Sequence, residues 1–230
     1  MVPDMSEPKS SDDAIAAGPF SEWLTRFRRA QQTGEGIDVP CQGCDACCTS
    51  SYFIHVGPGE TETLKVIPSM LLFPAPGLPK GHRLLGVDEK GHCPMFGREG
   101  CKVYEHRPRT CRIYDCRVFQ AAGLFVDERP KVASMARRWR FEYPDERDET
   151  EHEAVQQAAR FLILHSSDFP AGFVPARIPG QAVLAVKVYE PFVARVTDAH
   201  ATDTRQQVAA VLDAYERFEA GRLARTTRSR

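Results

Sequence analysis

No apolar run in these 230 residues reaches the length that a bilayer crossing needs, and the first 18 residues, rich in Ser, Asp and Pro, hold no hydrophobic stretch of the secretory kind. The reading is a cytoplasmic protein with no membrane partner. Charge imbalance is missing too: 30 Lys and Arg stand against 31 Asp and Glu, a formal charge of −1. No global field draws such a chain to nucleic acid, and none is expected as a partner. Glycine-rich phosphate loops, a Ser-His-Asp-like arrangement and paired helix histidines are all absent, as are internal repeats. These absences remove the commonest routes to nucleotide binding, hydrolysis and metalloprotease chemistry.

What the chain has is cysteine in a small space. Cys41, Cys44, Cys47 and Cys48 fall within eight residues, and Cys93, Cys101, Cys111 and Cys116 complete a set of eight. Without an export signal, thiols in a reducing compartment are metal-bound or catalytic rather than paired as disulfides. A stretch of four is a poor way to fill a core that one or two apolar residues would fill without the oxidation hazard.

The surrounding segment cannot be held by regular structure alone. Between Pro40 and Gly100, 16 of 61 residues are Gly or Pro, out of 33 in the whole chain, which excludes long helices there. The alternation of Tyr52, Ile54 and Val56 with Phe53 and His55 predicts a short strand that stops at Gly57-Pro58-Gly59. Glu60 to Ile67 reads as a short helix ended by Pro68. Pro74, Pro76 and Pro79 mark an extended loop. A second strand, Arg83 to Val87, turns through Asp88-Glu89-Lys90-Gly91 and delivers Cys93.

Outside that segment the patterns are helical. Residues 1 to 18 read as a flexible tail. Phe20, Trp23, Leu24 and Phe27 predict a helix with Ser21 as N-cap. Thr110 is expected to cap a helix ending at Gly123, and Pro130 to begin another with Val132, Met135, Ala136 and Trp139 on one side. Thr150 and Glu153 resemble a capping box for a helix carrying Val155, Ala158, Ala159, Leu162 and Leu164. Gln181 to Tyr189 has the content of a buried strand. Asp203 begins a last helix with Val208, Val211, Leu212, Tyr215 and Phe218 inside, and Arg222, Arg225, Arg228 and Arg230 lie in a solvated basic tail. The expected organisation is a tail (1–18), a cysteine-cluster metal-binding domain (19–126), a helical and strand extension packed on it (127–221) and a basic tail (222–230). The fold class is α+β, a mainly helical single domain around an irregular cysteine-rich core with short strands.

The two-residue gaps from Cys41 to Cys44 to Cys47 let tight turns bring sulfurs to one ion, as in zinc knuckles. Three cysteines in that register, with a distant cysteine followed by proline at Cys93-Pro94, equally suit a 4Fe–4S cluster. Adjacent side chains diverge on a strand or by about 100° on a helix, so Cys47 and Cys48 are expected to serve different centres. One partition groups Cys41, Cys44, Cys47 and Cys93, and separately Cys48, Cys101, Cys111 and Cys116. Within one regular helix Cys111 and Cys116 would lie about 140° apart and could share an ion only across a turn. Four thiolates leave a local charge that needs compensation, and Arg107, Arg109 and Arg112 are the candidates for it around the cofactor. His55, His92 and His106, with Asp45, Glu105 and Asp115, are secondary candidates as ligands or proton donors.

The same residues carry a resemblance. Cys41, Cys44, Cys47 and Cys48, then Cys93-Pro94, then Cys101-Lys102-Val103-Tyr104 with Arg107-Pro108, then Cys111-Arg112 and Cys116 resemble the YkgJ-type cysteine-cluster family of zinc- or iron-chelating proteins over about residues 40 to 118. Met95-Phe96 replaces a more usual Phe-Leu, and Val103 an Ile. The resemblance implies a metal-binding module with a metal ion as partner, and the first class of function is a structural metal module that presents a surface to a protein partner. The resemblance extends to flagellin lysine methylases, which motivates an alternative in which an iron–sulfur centre supports modification of a protein lysine. A metal-handling role, in which the ion is exchanged, is the third class.

Overall fold

The protein is described from a computed structural model that defines residues 14–37, 39, 44–125, 129–197 and 203–228, with the side chains of 195–197 and 222–228 outside the description. Along the chain run strand β1 (Ile15–Pro19), helix α1 (Phe20–Thr33), β2 (Ile54–Val56), α2 (Thr61–Val66), β3 (Leu72–Pro74), β4 (Arg83–Leu85), β5 (Phe96–Gly97) and β6 (Gly100–Cys101). Then follow α3 (Arg109–Arg112), α4 (Arg117–Ala122), α5 (Pro130–Arg138), β7 (Trp139–Glu142), α6 (Glu146–Leu164), α7 (Ile178–Lys187), α8 (Glu190–Thr197) and α9 (Thr204–Arg228). About 52% of the chain is helical and the strands form small sheets, so the fold is α+β. The chain divides into two compact units, a helical one comprising the residues up to Arg28 and from Cys116 to Ala224, and a cysteine-rich one, Arg29–Asp115. No helix among the described residues is long and apolar enough to cross a membrane.

The helical unit is built on apolar burial. Phe20, Trp23 and Phe27 recur at helical spacing on α1 and are buried with Trp139 and Phe141. Phe20 meets the Phe141 ring edge-on at 4.9 Å and stacks on His152 at 4.3 Å. Residues 15–18, assigned to a flexible tail by composition, instead form β1, which pairs in parallel with β7. The register shifts between Ala16 and Gly18, and the Ala17 carbonyl at that shift accepts from the buried Arg117 guanidinium at 3.2 Å.

Three helix starts differ from expectation, one through a partner distant in sequence and one through a competing cap. Ser21 lies inside α1, and its backbone N–H is capped by Asp148 Oδ1 at 2.7 Å, a carboxylate 127 residues away. The box at Thr150 and Glu153 yields to one a turn earlier: Asp145 accepts from the backbone of Arg147 and Asp148, while the Asp148 side chain accepts from the Asp145 N–H. Thr110 is inside α3 rather than at its start. The helix expected from Thr110 to Gly123 breaks into α3 and α4, with Gly123 closing α4 at φ 65°.

Gln181 to Tyr189, expected as a strand, is mostly α7. Ala182, Leu184, Ala185, Val186 and Val188 are all buried, and a short segment buried all round shows the same apolar run in either conformation. Trp139, expected on the inner face of α5, is the first residue of β7. The final helix buries Gln207, Val211, Ala214 and Phe218. Its backbone continues to Arg228, through most of the expected basic tail.

In the cysteine-rich unit β2, β4 and β3 form an antiparallel sheet in that order, with rows Ile54–Leu85–Leu72 and His55–Leu84–Phe73. The segment expected as a proline loop thus contributes β3, with Pro74 closing an edge strand where its missing N–H is tolerated. Ile54, Ile67, Leu85, Cys93, Met95 and Val103 make the small core, and Cys48, Cys101 and Cys111 pack against it.

Candidate metal centre

The cysteine stretch enters the described structure at Cys44 and makes one helical turn. The N–H groups of Cys48 and Thr49 both donate to the Asp45 carbonyl, at 2.9 and 3.0 Å, and the Thr49 hydroxyl donates to it as well. Ser51 then adopts φ 55°, in the left-handed region, and the chain leaves toward β2. Two backbone bonds stitch this turn to the second cysteine segment: Ser51 N–H to the Gly91 carbonyl at 3.0 Å and Cys93 N–H to the Cys48 carbonyl at 2.8 Å.

Asp88 shapes the delivery of Cys93. Its Oδ1 accepts from the backbone of Lys90 and His92, at 2.9 and 2.8 Å, and its own N–H donates to the His92 carbonyl. These donors, the His92 N–H foremost, hold its carboxyl below the usual range. Beyond Cys93 the β5–β6 hairpin pairs Phe96 with Cys101, and Lys102 N–H reaches back to the Met95 carbonyl at 2.8 Å. The single-turn α3 then presents Cys111, whose N–H donates to the Pro108 carbonyl.

The thiols so gathered share one electrostatic field. Cys47 and Cys48 lie with sulfurs 3.9 Å apart. Within this tight turn the two side chains fold toward each other. The Cys48 thiol hydrogen bond lowers Cys47 to about 7 and correspondingly raises Cys48. Burial raises Cys93 and pushes Cys111 up to about 12, where the charges of Cys47, Cys93 and Cys101 add to the effect and Arg107 opposes it. A second negative charge in this group therefore needs a nearby cation, and soft thiolates suit zinc and iron. As placed, no three His, Cys, Asp or Glu side chains among the described residues converge as a metal-binding group. The donor set fits such an ion in kind.

The proposed ligands are distributed unevenly. Among the described cysteines Cys47 is exposed, Cys93 and Cys116 are buried and Cys44, Cys48, Cys101 and Cys111 are half-buried; Cys41 lies outside the described residues. Cys93 N–H donates to the Cys48 carbonyl, Cys101 pairs with Phe96, and Cys48, Cys101 and Cys111 pack on the core that contains Cys93, so members of both expected sets share one small core. Cys116 belongs to the helical unit, where its sulfur accepts from the Trp139 indole N–H at 3.2 Å.

Among the arginines, Arg107 lies over the Tyr104 ring at 3.6 Å. Arg109 and Arg112 direct N–H groups to the carbonyls of Gln31 and Arg107. Of the secondary candidates, His92 contributes backbone to the Asp88 turn, His106 and Glu105 form an exposed turn, Asp45 offers its carbonyl, and Asp115 is buried. His55 pairs with His82, Nε2 to Nδ1 at 2.8 Å. His82 and the carboxylate of Glu60 went unnoticed in sequence, since their partners lie 27 and 49 residues away.

No curated protein and no solved structure matches the chain. Residues 40–142 match the CxxCxxCC family model, whose description reads "Putative zinc- or iron-chelating domain". This match contains all eight cysteines and covers somewhat under half of the chain. Over residues 40–142 the chain is thus similar to the CxxCxxCC zinc- or iron-chelating domain.

Proposed function

We propose that the cysteine-rich unit chelates zinc or iron through Cys48, Cys93, Cys101 and Cys111, with Cys47 at the exposed rim and Cys41 and Cys44 supplying further thiolates from the same run. The observation that carries this reading is the gathering of Cys47, Cys48, Cys93, Cys101 and Cys111, as free thiols, around one small core. When bound, the ion supplies the positive charge that lets several of these thiols ionise together. Arg107, whose charge reaches Cys111, is the arginine best placed to share that task. Arg109 and Arg112 act through the backbone they hold. Cys116, bonded to Trp139, serves the helical core instead. Free thiols are in keeping with a reducing, cytoplasmic setting.

Anaerobic purification with elemental analysis, acid-labile sulfide and an absorption spectrum tests this. The expected result is a stoichiometric metal, with colourless zinc indicating a single-ion site and iron with sulfide indicating a cluster such as 4Fe–4S. A protein free of both metals when isolated, and taking up neither on reconstitution under reducing conditions, would sink the proposal.

A further inference from the structure

We infer that Glu60 is a positioning residue that fixes Cys111 within the thiol cluster, an inference that rests on the cluster being the metal site. Cys111 sits on α3, a helix of four residues. One turn does not sustain itself in water, because nucleating a helix fixes several dihedral angles for a single hydrogen bond. Ties from elsewhere in the unit must hold α3 in place. Glu60 supplies the most direct of them. Its Oε2 accepts from the backbone N–H of Arg109, the first residue of α3, and its Oε1 accepts from the N–H of Gly57 at 2.7 Å. One carboxylate fork thus joins the loop after β2 to the start of the helix that carries Cys111.

Glu60 is itself well fixed. Its N–H donates to the Gly57 carbonyl at 3.1 Å, and its carbonyl accepts from Leu64 at 2.9 Å, the first bond of α2. A second tie runs parallel to the first, from the Thr110 hydroxyl to the His55 carbonyl at 2.9 Å. From the other side, Ile37 N–H donates to the Arg112 carbonyl at 2.9 Å. The chemistry requires a carboxylate at position 60: both oxygens are acceptors facing N–H groups, whereas an amide would turn its NH₂ toward one of them. With both oxygens occupied by backbone donors, Glu60 acts on the site through Cys111 rather than as a ligand.

The test compares wild type, Glu60→Gln and Glu60→Ala, each reconstituted with zinc, by brief iodoacetamide alkylation with peptide mass mapping of each thiol. Zinc release to a chelating dye is followed in parallel. In the Glu60 variants Cys111 is expected to alkylate about tenfold faster, and zinc to leave about tenfold faster, the scale on which residues that orient metal ligands act. Cys48 and Cys93, exposed only when the ion itself leaves, are accelerated less than Cys111. Thr110→Val, which removes the second tie and leaves the fork, exposes Cys111 in the same selective way to a smaller extent, and decides the matter if the Glu60 variants do not fold. Alkylation of Cys111 at the wild-type rate, or equal acceleration of all the unit's thiols, overturns the role of Glu60. Wild-type thiols that react equally fast with and without zinc overturn the metal reading, and this inference with it.

Discussion

The two units of this chain are held together by different physics. In the helical unit large apolar side chains are removed from water: Phe20, Phe27, Trp139, Phe192 and Phe218 are each almost fully buried, and Ala158, Ala159, Ala182 and Ala185 let helices approach closely. In the cysteine-rich unit the core is six residues with a fringe, and much of the backbone is fixed by single side chains, Asp88 and Glu60 above all. A core of that size contributes little, at about 1.5–3 kcal/mol for each large side chain, against an ordering cost that every residue of a Gly- and Pro-rich segment incurs. The comparison teaches where metal matters. The helical unit has a sufficient core, and the cysteine-rich unit gains most from crosslinks through its thiols.

Metal removal breaks this comparison most strongly. A structural zinc site can contribute on the order of 10 kcal/mol to folding, so chelation under reducing conditions should raise amide exchange throughout residues 44–112 and leave α6 and α7 protected. Hydrogen exchange read peptide by peptide checks this. A uniform rise across both units would show that they do not differ as argued. Cys41→Ser and Cys44→Ser should likewise lower metal content and soluble yield together.

The converse perturbation is Trp139→Ala. Removing a fully buried indole should cost about 3–5 kcal/mol and leave the Cys116 sulfur without its indole donor. Thermal unfolding would report a large loss of stability. Metal stoichiometry of the folded variant should stay at the wild-type value, and a lost equivalent would instead bring Cys116 back among the ligands.

The features legible in sequence are those set by local pattern. The strand at Ile54–Val56, the helix stopped by Pro68, the turn at Asp88–Gly91 and the left-handed Gly123 follow from alternation, missing donors and permissive backbone. The cysteine cluster was legible because two-residue spacing is rarely accidental. What sequence concealed depends on distant partners: Asp148 capping Ser21, Glu60 reaching Arg109, His55 meeting His82. The helix over Ile178–Lys187 was concealed for another reason, since burial on all sides erases the periodicity that separates helix from strand. The approach of Cys47 to Cys48 depends on side-chain rotamers, which spacing does not encode.

A matched pair of turns sharpens the comparison with a smaller effect. Asp88 and Asp145 each accept two backbone N–H groups, one in each unit. Asp145→Ala should lower stability by about 1 kcal/mol, the usual worth of a helix cap, and leave metal retention unchanged. Asp88→Ala acts on the segment that delivers Cys93, so it should speed metal loss to a chelator with little change in the unfolding of the helical unit. Equal effects of both variants on metal release would erase the distinction.

The smallest expected effect lies wholly in the helical unit and concerns pH. His152 is buried, stacked on Phe20 and hydrogen-bonded to the Tyr143 hydroxyl at 2.7 Å and the Gln156 amide at 3.1 Å. Burial lowers its pKa, and the nearby Gln120 and Ala121 backbone works the other way without cancelling that effect. A histidine held neutral in the fold and free to protonate when unfolded makes the unfolded state bind more protons as pH falls. Its contribution is therefore fully present above the ordinary histidine range near 6.5 and declines through the acid side of it, with a slope of at most about 1.4 kcal/mol per pH unit for one proton. His152→Gln removes the titrating group, so the variant should begin less stable at pH 7.5 and draw closer to wild type by pH 5.5. Denaturant unfolding followed by far-ultraviolet circular dichroism, on metal-loaded protein at each pH, measures the gap. If the gap stays constant across that window, His152 is not held neutral by burial.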